Sequence, residues 1–67
     1  MAERSLEIER ILDFVSTNRN SYASLAVCRR ALDPGLEQVT RETVDELRNY
    51  LLQAPDAEID AYYSVVM

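Results

Sequence analysis

Apolar residues recur at helical spacing in four short segments of this sequence, and turn-forming residues separate them. Ile8, Ile11, Leu12 and Val15 stand at i, i+3, i+4 and i+7, and Ile59, Tyr62, Tyr63 and Val66 repeat that spacing near the other end. This period gathers each set on one face of an α-helix, whereas in a strand it would scatter them over both faces. No strand-like alternation, internal repeat or low-complexity tract occurs. One Gly and two Pro leave little turn chemistry for a many-stranded fold. The expected class is all-α: a small bundle of four short helices, about 5–18, 21–32, 40–53 and 56–66, in a single helical domain over residues 1–67.

Local signals place the ends. Ser5 reads as the first N-cap, with Glu7 and Glu9 favourably placed in the first turn. Phe14 widens the first stripe and Leu6 lies off it. Asn18-Arg19-Asn20 reads as a stop, since Asn tolerates the left-handed conformation that ends helices. The second segment has the weakest pattern. Its expected buried stripe is Tyr22, Leu25, Cys28 and Leu32, with Arg29 inside it and the small residues Ala23, Val27 and Ala31 opposite. Asp33-Pro34-Gly35 breaks the chain, and Leu36 to Val39 form a connector with two apolar anchors. Thr40 is the expected cap of the third helix, whose buried face is Val44, Leu47 and Leu51. Ala54-Pro55-Asp56 starts the fourth, Pro in the first turn and Asp as cap.

A chain of 67 residues buries a modest core, and its hydrophobic gain is similar in size to the entropy of ordering it. Cys28 alone can form no intrachain disulfide, and the absence of His removes the usual structural zinc site. Good helix packing or self-association must help, and the helical wheels favour the second. Tyr50, Leu47, Leu51, Val44 and Leu52 span about 200° of the third helix. Val65, Tyr62, Val66, Ile59 and Tyr63 span about 160° of the fourth, extended by Met67. A single core uses a narrower stripe, so a second contact surface is expected, for a homodimer or a protein partner. The candidate interface is Arg48, Tyr50, Leu51, Leu52, Ile59, Tyr62, Tyr63, Val65 and Val66. The simpler alternative is that the tyrosines are core residues at helical spacing. Arg48 and Arg29 sit within apolar stripes, where an Arg either extends its head to solvent or pairs with a carboxylate, here one of a second chain.

The formal charge of −5 is unevenly spread. Residues 1–30 carry five Arg against four acids, and residues 31–67 carry two Arg against eight. An acidic half of this kind disfavours nucleic acid and anionic membrane and favours a basic protein partner, unless it serves only solubility. The absence of an apolar core near Met1 to Ser5, and of any run of membrane-spanning length, points to the cytoplasm, as does a lone thiol.

Catalytic chemistry has few supports. Without His or Lys, the usual neutral-pH base, Schiff-base chemistry and Ser-His or Cys-His pairs are missing. Arg29 and Arg30 adjoin Cys28, which would favour a thiolate only if the sulfur were exposed. Glu42/Glu46 and Asp56/Asp60 stand one helical turn apart, a spacing typical of solvated faces. The single Gly35 supplies no phosphate-cradling loop. No enzyme activity, cofactor or metal is expected. A helix-turn-helix would need a shorter connector than Asp33 to Val39, and Glu42, Asp45 and Glu46 would repel phosphates, so direct nucleic-acid binding is disfavoured.

From Leu25 onward the order of elements resembles that of small bacterial connector proteins linked to biofilm development and two-component signalling. The resemblance rests on Leu32 to Leu51, where Val39-Thr40-Arg41-Glu42-Thr43-Val44 opens a helix continuing to Leu47 and Leu51, followed by a helix with Tyr62 or Tyr63. It covers some 40 residues as a hydrophobic pattern, and Pro34 before Gly35 and the lack of Lys depart from it. It implies a dimeric helical adaptor that contacts a response regulator or another transcription regulator. The leading expectation is a small acidic, non-enzymatic adaptor acting through its third and fourth helices. The alternatives are a structural subunit or chaperone-like component of a phage or secretion assembly, and an acidic antagonist occupying a nucleic-acid-binding groove.

Overall fold

The computed structural model describes residues 4–67. Four α-helices follow one another: α1 (Arg4–Thr17), α2 (Tyr22–Ala31), α3 (Arg41–Gln53) and α4 (Asp56–Val66). Each expected boundary lies within one residue of the observed one, and no strand occurs among the described residues. Ser5 falls inside α1, so the cap of this helix, like the Met1-Ala2-Glu3 start, lies outside the described residues.

Capping chemistry accounts for most ends. Ser21 caps α2 by accepting from the Ser24 amide at 3.1 Å. Thr40 and Thr43 form a reciprocal capping box: the Thr43 amide donates to Thr40 Oγ1 at 3.2 Å, and the Thr40 amide donates to Thr43 Oγ1 at 3.1 Å. Two local expectations change. Pro55, in extended backbone, takes the N-cap of α4, and Asp56 is its first helical residue. No described residue adopts a positive φ, so Asn18 does not end α1 through a left-handed turn. Instead its backbone amide and side-chain Nδ2 both donate to the Phe14 carbonyl, at 2.8 and 3.0 Å.

Helix directions follow from a few long-range pairs. Arg4 meets Asp56, and Glu7 meets Asp60 one turn further on, so α1 and α4 run parallel. Arg4 also reaches the Leu51 and Leu52 carbonyls, and Glu9 meets Arg48, so α1 and α3 run antiparallel. α1 packs chiefly against α4 and α3, and α2 covers both from the other side. The consecutive helices α3 and α4 therefore sit on a diagonal of the bundle and scarcely touch along their lengths.

The core gathers Ile8, Ile11, Leu12 and Val15 from α1, Val27 and Cys28 from α2, Leu47 and Leu51 from α3, and Ile59, Tyr62 and Val66 from α4. Val39 and Ala54 close it from the connectors. The face of α2 differs from the expected one. Tyr22 is 84% exposed, Leu25 and Leu32 are half-buried, and Ser24, Val27 and Cys28 point inward. Close approach on the small-residue side is open to Ser24 because its hydroxyl already pairs with Ser21 Oγ at 3.0 Å. On α3, Thr43 is buried and Val44 half-buried, for a similar reason: the capping box satisfies the Thr43 hydroxyl.

Candidate functional site

The nine residues of the expected interface divide three ways. Leu51, Ile59, Tyr62 and Val66 are buried in the chain's own core. Tyr50 and Tyr63 are half-buried, and Arg48, Leu52 and Val65 are exposed. The diagonal placement of α3 and α4 explains the unusually wide apolar arcs, because each of these helices must meet α1 on one flank and α2 on the other. Two neighbours, both in the same chain, use most of what the helical wheels assign to a second surface. The four core residues are thus unavailable to a partner that docks on the folded chain. What remains is split between the ends of the bundle. Leu52, 59% exposed, lies where α1 begins, and Val65 and Met67, 51% and 68% exposed, lie where α1 and α4 finish.

The two arginines expected within apolar stripes find partners inside the chain. Arg48 Nη1 lies 3.3 Å from Glu9 Oε1, with both side chains largely exposed, a geometry that contributes little to stability. Arg29 Nε donates to the Leu36 carbonyl at 2.7 Å and ties the connector to α2.

Two polar groupings tie the end of α3 to the start of α4. The hydroxyls of Tyr50 and Tyr62 both donate to Glu58 Oε2, the second at 3.0 Å, and so join α3 to α4 near the turn between them. Burial first, and then the Glu58 carboxylate, push the Tyr62 phenol above its ordinary range; for Tyr50 the Glu58 hydrogen bond is the main cause. Both phenols are held as proton donors. Arg4 Nη1 lies 2.6 Å from Asp56 Oδ1, while its Nη2 donates to the Leu51 and Leu52 carbonyls at 3.2 and 3.0 Å. One guanidinium thereby closes the end of α3 and the start of α4.

Glu7, expected as a favourably placed acid in the first turn, has a further role. It is 7% exposed and lies in the α1–α4 seam. A carboxyl hydrogen bond with Asp60, then burial, then the negative charges of Asp60 and Asp56 raise its pKa. The signal was present in the spacing, since Glu7 precedes Ile11 by four residues and shares its stripe. Cys28 is fully buried, which pushes its thiol up to about 11 and leaves it a packing residue at neutral pH. No group of three or more metal-ligating side chains occurs among the described residues.

The surface depressions are open rather than enclosed. Three of them adjoin along the α1–α3 seam, and the one between the end of α1 and the start of α3 is lined by Ser16, Arg19, Arg41, Val44, Asp45 and Arg48. The sequence offers no local sign of this grouping, because its three arginines come from a turn and from two positions on α3. No helix is long and apolar enough to cross a membrane among the described residues. No protein family matches this chain, and neither does any curated protein or solved structure.

Proposed function

We propose that this protein is a small non-enzymatic adaptor that acts by protein–protein contact, using the end of α4 as its contact surface and forming a homodimer or a complex with a basic protein. The observation that carries this reading is the pair Val65 and Met67, two large apolar side chains left more than half exposed two residues apart at the end of α4, with Tyr63 half-buried beside them in sequence. Apolar area and a tyrosine on one short segment form the usual centre of a binding surface. Acids supply the steering: residues 31–67 carry eight acids against two arginines, which attracts a basic partner and repels a polyanion. A transcription regulator is the partner class that the connector-protein resemblance suggests, in a cytoplasmic setting.

The test is sedimentation of wild type, Val65→Asp and Leu52→Asp over a range of concentrations, paired with capture on an immobilised candidate regulator. Val65→Asp should abolish self-association or capture while helicity stays unchanged, and Leu52→Asp, at the other end of the bundle, should retain both. Wild-type behaviour of Val65→Asp in both assays would overturn the reading.

A further inference from the structure

We propose that the cleft between the end of α1 and the start of α3 binds a dianionic oxyanion, inorganic phosphate or a phosphate monoester, on the guanidinium groups of Arg19, Arg41 and Arg48. The cleft shares none of its lining residues with the end of α4, on which the adaptor reading rests.

Three of the seven arginines of a chain with net charge −5 line this one cavity. Asp45 is the only acid among the lining residues, so the lining carries a net charge of +2 where the molecule as a whole is negative. Like charges drawn to one cleft repel one another, and a bound anion relieves that repulsion. The arginines have little else to satisfy them. Arg19 and Arg41 form no ion pair among the described residues, and Arg48 has only the 3.3 Å surface contact with Glu9, which an incoming oxyanion can replace. Ser16 adds a hydroxyl at the rim and Val44 an apolar side chain in the wall.

The chemistry selects phosphate over a carboxylate. Guanidinium forks match the oxygen spacing of both, but three of them around a charge of +2 suit a dianion with three terminal oxygens. Arg41 is also the first residue of α3, so the positive end of the helix dipole reinforces the side chains. The open depression, about 320 Å³, has room for a phosphate group. Polyanions are a poorer match, because Glu9 and Asp13 line the next stretch of the seam and would face the following phosphates of a nucleic-acid strand.

The experiment is a titration of the full ¹⁵N-labelled chain with inorganic phosphate, with a phosphoserine peptide and with chloride, at matched ionic strength. Saturable amide shifts centred on Ser16, Arg19, Arg41 and Asp45 are the expected result with phosphate, and none that saturate with chloride. Arg19→Gln and Arg41→Gln should each weaken binding about tenfold or more with unchanged circular dichroism, and Arg10→Gln, elsewhere on α1, should change it less than about twofold. Tighter binding of the phosphoserine peptide than of free phosphate would assign the ligand to a modified partner side chain, and equal or weaker binding would assign it to the free ion. Shifts that stay linear to about 10 mM phosphate, or an Arg10→Gln effect equal to that of Arg41→Gln, would overturn the site.

Discussion

The two long seams of α1 differ in kind. Toward α4 the helices run parallel and tightly packed, and this seam buries an acid, Glu7, opposite Asp60 with Asp56 nearby. Toward α3 they run antiparallel, and the seam opens into shallow clefts where exposed Arg19, Arg41 and Arg48 collect. The difference shows how a chain with a strong acidic excess still presents a basic cleft. α1 presents Glu7 to one neighbour, while the turn after it brings Arg19 beside the other. The close seam holds electrostatic strain inside the fold, and the open seam leaves its charge accessible to a ligand.

Substitutions in the shared core should break both seams at once and have the largest effects. Leu47 and Ile11 are fully buried, and Leu47→Ala or Ile11→Ala should destabilise the fold by about 2–5 kcal/mol, enough to leave so small a domain largely unfolded. Urea titration followed by circular dichroism measures it directly. Tyr62→Asp belongs in the same class, because Tyr62 is 2% exposed and would set a carboxylate beside Glu58; it should abolish cooperative unfolding and so reports on the core, not on a contact surface.

Middle-sized effects come from single polar contacts. Thr40→Ala removes one half of the capping box of α3 and should lower stability by about 1 kcal/mol, as should Tyr62→Phe, which keeps the ring in the core and deletes the hydrogen bond to Glu58. A double variant, Tyr50→Phe with Tyr62→Phe, separates the two donors: Glu58 keeps one partner in each single change and loses both in the pair.

The smallest effect sharpens the contrast between the seams most. Because the Glu7 carboxyl has a raised pKa in the folded chain, the native state holds that proton more tightly than the unfolded state. Stability attributable to this group therefore falls as pH rises from the ordinary carboxylate range through the raised native value. Glu7→Gln should flatten that slope, raising Tm at neutral pH and leaving it unchanged below about pH 4, where both states carry the proton. An identical Tm-against-pH curve for Glu7→Gln and wild type would show that the seam carries no such strain. Cys28 offers a parallel check on burial: its thiol should react with a disulfide reagent at neutral pH only as fast as the chain unfolds.

Much of this molecule is determined by interactions within four residues along the chain. Helical spacing, the Asp33-Pro34-Gly35 break and the caps at Ser21 and Thr40 are short-range matters, which is why the four helices and their limits are legible in the residues themselves. The same spacing shows which arc of a helix is apolar, but says nothing about how many neighbours will cover it. That number depends on the diagonal placement of α3 and α4, and it turned Leu51, Ile59, Tyr62 and Val66 from candidate interface residues into core. The inward face of α2 was decided the same way, by close packing that suits Ser24 and Val27 and leaves Tyr22 in water. So was the convergence of Arg19, Arg41 and Arg48, which are as many as 29 positions apart in sequence. Local order follows from hydrogen bonds and rotamers near each residue, whereas burial and charge proximity are properties of pairs far apart in the chain, and only packing brings those pairs together.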